Sequence, residues 1–244
     1  MTEPGPLIGR GRAADVYDIG AGRVLRRYRE GGGRHGQVVT EATAMRHLAA
    51  HGFPVPAVHD ADGFDLVMDR LDGVSMLTSL ERGPWKLGRH ADTWAALHRR
   101  LAAVPVGALA DAGLPVRFGA PECVLHLDFH PDNIMLTSDG PVVIDWSNVS
   151  LGPAAADVAQ SWIIAATSTV DGGLAIGALV RLVRGRLVDR FVDGCGRTAA
   201  IVMVPTVAEY RLADRNVRPE EADRIRALVA TVAPGSGSDN TPAR

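Results

Sequence analysis

The residue types best suited to chemistry fall in one stretch, Leu125-His126-Leu127-Asp128-Phe129-His130-Pro131-Asp132-Asn133-Ile134-Met135-Leu136, with Val142-Val143-Ile144-Asp145-Trp146 close behind. Pro131 forbids a regular helix, so the polar residues belong on a loop between two short apolar runs, and a second hairpin delivers Asp145 at a strand end. Asp128 and Asn133 stand five apart across that loop. Two carboxylates and an amide oxygen suit a hard, oxygen-preferring cation such as Mg²⁺. The competing reading is a zinc cluster of His126, Asp128, His130 and Asp132; it is the weaker one, because no further His-x-His pair or Cys ligand accompanies it. Asp132 and Asp139 read as loop and turn residues.

The elements that must position these groups can be read on both sides of the stretch. Upstream, Ala14 to Ile19 and Arg23 to Tyr28 flank Gly20-Ala21-Gly22, a tight-turn signal, and form a hairpin within a run of short strands from residue 7. Gly31-Gly32-Gly33 breaks structure. Gln37 to His51 carries Val38, Ala42, Met45, Leu48 and Ala49 at helical spacing, stopped by Gly52 and Pro54. Val55 to His59 and Phe64 to Met68 are two further strands around the turn Ala61-Asp62-Gly63. From Met76 the pattern turns helical, first over Lys86 to Val104, where Leu87, Ala91, Trp94, Leu97, His98 and Leu101 share a face. Val124 to Leu127, Ile134 to Leu136 and Val142 to Ile144 are strand-like but too short for a sheet of their own. Helices return over Ala154 to Thr167, Leu174 to Phe191, Thr198 to Leu212 and Pro219 to Val232. The composition of 233–244, PGSGSDNTPAR from Pro234, is that of a disordered tail.

Composition narrows the function classes. The chain has 244 residues, 46% hydrophobic and 22% charged, which suits one large domain or two small lobes. Its 26 basic and 28 acidic residues leave a formal charge of −2, which argues against generic binding to nucleic acid or membrane surfaces. No apolar run has the length of a membrane span or the form of a signal peptide, so a cytoplasmic location is expected. Cys123 and Cys195 lie far apart and imply neither a disulfide framework nor structural zinc. Lys86 is the only lysine, so nearly every phosphate contact must come from arginine or backbone.

The form HLDFHPDNIML followed by VVIDW resembles the aminoglycoside phosphotransferase and choline kinase-like family of the protein-kinase-like superfamily, over about Leu7 to Asp157. The resemblance implies an α+β fold with two lobes. Residues 1–72 would be a small antiparallel sheet with one helix that covers the nucleotide, and 73–232 a mostly helical lobe with the catalytic loop, metal site and substrate pocket. ATP and Mg²⁺ are the implied cofactors. Asp128 would orient the substrate hydroxyl and can accept its proton, and Asn133 and Asp145 would bind the metal. His126 would brace the loop, and Asp157 would anchor its backbone. Gly9-Arg10-Gly11-Arg12-Ala13-Ala14 resembles the glycine-rich turn over ATP phosphates, with Gly9 and Gly11 present and Ala14 in place of the third glycine. Arg26 occupies the position of the phosphate-contacting lysine, with Glu41 as its ion-pair partner, and backbone groups near Met68 and Arg70 would meet the adenine edge.

Two function classes follow from the resemblance. The first is a phosphotransferase acting on a hydroxyl of a small molecule; the second is a catalytically weak, pseudokinase-like nucleotide-binding module, suggested by Arg26 and Ala14. The complete set Asp128, Asn133 and Asp145 favours the enzyme. Residues 150–232 hold nine acidic side chains against ten arginines, a balance that singles out no polycationic acceptor. The sequence leaves the acceptor and the oligomeric state open.

Overall fold

The computed structural model describes residues 3–11, 13–29, 36–168 and 174–232, with backbone alone over 174–182. The Gly31–Gly33 break, Arg12 and the 233–244 tail lie outside the described residues. Five antiparallel strands, β1 (Leu7–Arg10), β2 (Ala14–Gly20), β3 (Arg23–Tyr28), β4 (Val58–Asp62) and β5 (Asp65–Asp69), form one sheet in the order β1-β2-β3-β5-β4. The β2–β3 turn is left-handed at three successive residues, Gly20, Ala21 and Gly22, and glycine at two of them removes most of the steric cost. Strand β4 starts at Val58 rather than at Val55, because Pro54 and Pro56 have no N–H to give a ladder.

Helix α1 (Gln37–Ala50) follows the sheet's third strand and buries Val38, Glu41, Ala42, Ala44, Met45 and Leu48. Glu41 is the single charged residue on that face and is 1% exposed. A carboxylate so placed needs a cation from the sheet, and β3 supplies it.

The remaining strands are short and depend on one another. β6 (Gly73–Ser75), β7 (Cys123–Leu125), β8 (Ile134–Thr137), β9 (Gly140–Val143) and β10 (Ser150–Gly152) make two small sheets, β6-β8-β9 and β10-β7. The sequence pattern missed β6 and β10, whose three residues each carry no periodicity; they supply partners to runs that looked too short to pair. At Gly73 a Cβ would collide with the Leu136 carbonyl, so the pairing of β6 with β8 requires glycine there.

Helix α2 (Met76–Arg82) leaves β6 at once, with Ser75 Oγ accepting the Thr78 N–H at 3.1 Å as its N-cap. Then come α3 (Leu87–Ala102), α4 (Ala154–Thr167), α5 (Leu174–Cys195), α6 (Arg197–Leu212) and α7 (Pro219–Val232). α5 runs a turn beyond Phe191, where its apolar pattern ended. α4 is buried on nearly every side, packed on α5, α6, α7 and β7, as its apolar composition requires.

Stacked rings floor the loop after β7. Trp94 lies on Phe191 with centroids 3.6 Å apart, and His98 lies on Phe129 at 4.2 Å. Phe53 meets Trp146 edge-on at 5.8 Å. Each fully buried Phe is worth about 1.5–3 kcal/mol. No single helix among the described residues is long and apolar enough to cross a membrane.

Candidate active site

β7 runs into His126-Leu127-Asp128, where Leu127 is forced into the left-handed region at φ 59°. Such a conformation costs on the order of 1–3 kcal/mol and persists only where the surroundings over-determine it. Here they do. Asp157 Oδ1, in the first turn of α4, accepts the N–H groups of His126 at 3.1 Å and Leu127 at 2.7 Å. One turn on, Gln160 Nε2 donates to the Leu127 carbonyl, and Trp94 Nε1 donates to that of Phe129 at 2.9 Å. Asp157 therefore takes the backbone-anchoring place expected of it.

His126 is completely buried, and burial holds its imidazole below the ordinary pKa, so the ring is neutral. The Asp128 N–H donates to Nδ1 at 3.2 Å, which leaves the proton on Nε2 to be donated to the Ile144 carbonyl at 2.9 Å. One ring thus ties the loop to the strand end that carries Asp145. Because both nitrogens are engaged, His126 cannot ligate zinc. Among the described residues, no group of three His, Cys, Asp or Glu side chains is placed to hold a metal ion.

Burial pushes the Asp128 carboxyl up, but its contact with His130 and the charge of Arg211 outweigh that and leave it below the usual range. Asn133 Nδ2 donates to the Asp128 carbonyl at 2.8 Å and to its Oδ2 at 3.3 Å. Both partners are acceptors, so the amide orientation is fixed and Oδ1 is the atom left for a cation. The Asn133 carbonyl accepts the Ile144 N–H at 3.0 Å, which closes the loop onto the second hairpin.

Asp145 is also left-handed, at φ 63°, pinned by the buried Trp146, whose Nε1 donates to the Val143 carbonyl at 3.0 Å. Its Oδ1 accepts Arg26 Nη2 at 2.6 Å and Ser147 Oγ at 2.8 Å. Burial opposes ionisation, but the Arg26 charge and these two bonds hold the carboxyl below its ordinary value. With Oδ1 engaged, Oδ2 is the oxygen directed elsewhere. Asn133 Oδ1 and Asp145 Oδ2 are hard donors of the kind a Mg²⁺ ion takes, and the carboxylates of Asp128 and Asp145 are near enough to feel each other's charge.

The sheet side of the site is a second ionic assembly. Arg26 Nη1 meets Glu41 Oε1 at 2.8 Å, and the Tyr28 hydroxyl donates to Glu41 Oε2 in a short hydrogen bond. The guanidinium also lies over the Tyr28 ring, 5.0 Å from its centroid. Burial raises the Glu41 carboxyl above its ordinary value, against the pull of Arg26 and Tyr28. The pairing expected from sequence between Arg26 and Glu41 is present, with a third member, Asp145, joined to it. Two participants escaped the sequence reading. Tyr28 lies two residues after Arg26 and so on the same face of β3, and Ser147 lies two after Asp145; strand periodicity would have found the first.

Gly9 faces Val16, Val16 faces Arg26 and Arg26 faces Leu66, so Gly9 and Arg26 share one rung of the sheet. The Gly11 N–H, expected to face phosphate, instead donates to the Ala14 carbonyl at 2.8 Å and closes the β1–β2 turn. Met68 sits in β5, paired with Val24 on one side and Val58 on the other. Of the backbone groups near Met68 and Arg70 expected at the adenine edge, the Arg70 N–H is taken by the Gly22 carbonyl at 2.8 Å, while the Arg70 guanidinium pairs with Asp18. Arg70 thus serves the β2–β3 turn.

A family model described as the phosphotransferase enzyme family matches residues 5–118 and 84–191. Among solved structures the chain is similar to a choline/ethanolamine kinase family protein from Mesorhizobium loti, at 16% identity over 95% of this chain and 88% of that one, with a TM-score of 0.54. A streptomycin–ATP–APH(2")-IIa ternary complex matches at 12% identity over 84% of this chain and 82% of that one, with a TM-score of 0.58. The amicoumacin kinase hAmiN, in complex with AMP-PNP, Ca²⁺ and amicoumacin, matches at 12% over 94% and 89%, with a TM-score of 0.53. At these identities the likeness is one of fold. No curated protein sequence matches the chain.

Proposed function

The chain belongs to the phosphotransferase enzyme family, and from that membership we propose that it transfers the γ-phosphate of ATP, with Mg²⁺, to a hydroxyl group of a small molecule. The observation that carries this reading is the double attachment of Asp145: Arg26 reaches it from the sheet, while His126 and Asn133 bind the backbone next to it from the loop of Asp128. A nucleotide held between residues 1–72 and 73–232 would meet a cation from one side and two carboxylates and an amide from the other. That matches the demands of phosphoryl transfer, which are positioning and charge neutralisation.

Each residue has a defined task. Asp128, ionised and fixed by Asn133, orients the acceptor hydroxyl and can take its proton. Asn133 Oδ1 and Asp145 Oδ2 would hold Mg²⁺, which when bound neutralises the β- and γ-phosphate oxygens. Arg26 adds a permanent charge on the sheet side, Gly9 leaves its end of the same rung free of side chain, and Met68 lines β5, the strand that leads out of the sheet. Dependence on ATP accords with a cytoplasmic location.

Asp128→Asn tests this reading. Turnover should fall about 100-fold or more, because the base and the orientation of the hydroxyl are lost together, while ATP binding stays near wild type. The measurement is steady-state kinetics on an acceptor found by an ATP-consumption screen of aminoglycosides, macrolides, amino-alcohols and sugars. Turnover close to wild type in the variant would refute the assignment.

A further inference from the structure

Arg26 is bonded to two carboxylates at once, and one of them is the residue that should hold metal. Nη1 is fixed on Glu41 Oε1 at 2.8 Å, and Nη2 lies 2.6 Å from Asp145 Oδ1, which also accepts Ser147 Oγ at 2.8 Å. That oxygen is saturated. The guanidinium is a rigid plane that cannot be neutralised in a protein, so as long as Glu41 and the Tyr28 ring hold it, its second nitrogen stays on Asp145. A divalent cation arriving at Asp145 Oδ2 would stand beside a fixed positive charge and share with it a single carboxylate. Nucleotide phosphates change that balance: they offer Nη2 an anion of higher charge and leave Asp145 to the metal.

Resting on the reading that the chain binds ATP and Mg²⁺, we propose that Arg26 acts as a surrogate cation on Asp145, excluding bare divalent metal from the empty site and making metal and nucleotide bind as a mutually dependent pair. The coupling is reciprocal, so metal strengthens nucleotide binding by the factor by which nucleotide strengthens metal binding. A lysine in place of Arg26 would not bridge both carboxylates so firmly, because an ammonium is one point charge rather than a two-armed fork.

The test uses Mn²⁺ as the probe, followed by its electron paramagnetic resonance in the full chain without nucleotide, and calorimetric titration of ATP with and without Mn²⁺. Arg26→Met should tighten the binding of bare Mn²⁺ about tenfold, weaken ATP binding without metal, and reduce the metal–nucleotide coupling by a similar factor. Because Arg26→Met strands the buried Glu41, the pair Arg26→Met with Glu41→Gln removes both charges and leaves Tyr28 a partner; it should show the same gain in Mn²⁺ affinity. Adding Asp145→Ala to that pair should abolish the gain, which locates the metal. Unchanged or weaker Mn²⁺ binding in both Arg26 variants, with ATP still bound, would overturn the surrogate role and leave the proposed function standing. A gain in Mn²⁺ affinity in a chain that binds no ATP in any form would support the Arg26–Asp145 competition while sinking the proposed function.

Discussion

The two walls of the candidate active site are held by opposite means. On the sheet side, Arg26, Glu41 and Asp145 form a cluster of full charges, with a cation between two carboxylates. On the loop side, the groups buried behind Asp128 are pushed toward their neutral forms: His126 is a bare imidazole, burial pushes His98 down to about 3, and burial pushes the Asp157 carboxyl up to about 7. In the proposed function, the wall that would meet phosphate carries charge that can be redistributed. The wall that must not move is fixed by backbone hydrogen bonds and stacked rings, whose strength does not depend on charge.

The contrast is broken most severely at Glu41. Glu41→Ala removes one partner of a buried pair, deprives Tyr28 of its acceptor and leaves Arg26 with Asp145 alone; the expected loss is about 3–5 kcal/mol of unfolding free energy. Urea melts against wild type measure it, and a loss under about 1 kcal/mol would mean that the sheet side is not organised by charge.

The neutral wall is probed by pH. Asp157 binds its proton more tightly folded than unfolded, so its contribution is present at low pH and is lost as pH rises from about 4 to about 7. His98 binds its proton less tightly folded than unfolded, so its contribution grows from about 3 to about 6.5. The two slopes oppose between pH 4.5 and 6.5, roughly the overlap of the two windows, where His126 adds a rising and Glu41 a falling slope of its own, so the difference between variant and wild type is the quantity to read. Asp157→Asn keeps an oxygen for the two backbone N–H groups and removes the falling limb that Asp157 contributes. Its stability should therefore gain on wild type across the window by about 2 kcal/mol, near 1.4 kcal/mol per pH unit for one proton. Chemical denaturation at four or five pH values decides this, and parallel curves for variant and wild type would contradict it.

The smallest effect sharpens the comparison. Tyr28→Phe keeps the ring under the guanidinium and removes one hydrogen bond to Glu41, which should cost about 1.5–2 kcal/mol, the low end of the scale for a bond to a charged group. The matching deletion on the loop side, Ser161→Ala, takes a neutral bond from His98 and should cost nearer 1 kcal/mol.

Much of this was legible in the sequence, and for identifiable reasons. The chemistry-bearing residues announced themselves because Pro131 excludes a helix and because Asp128, Asn133 and Asp145 are oxygen donors flanked by apolar runs. The long helices followed from their period, and α4 begins and ends where its pattern does. What could not be read was pairing without periodicity: β6 and β10 are three residues each, and their role lies in the partners they meet. Nor does sequence reveal which backbone N–H is already engaged. The N–H groups of Gly11 and Arg70 are examples: the first is taken by the Ala14 carbonyl of its own turn, the second by the Gly22 carbonyl of the β2–β3 turn. The link between Arg26 and Asp145, 119 positions apart, is a product of the fold alone.

Arginine rather than lysine at position 26 also decides how the protein would show itself to chemical proteomics. Acylating nucleotide analogues label their targets by handing an acyl group to a neutral amine poised beside the phosphates, and a guanidinium that stays protonated at every working pH is no nucleophile. The chain's single lysine, Lys86, lies exposed in the turn before α3. A lysine-directed probe would therefore tag Lys86 with little regard to ATP, and in an ATP-competition screen this protein would pass as background however tightly it held a nucleotide.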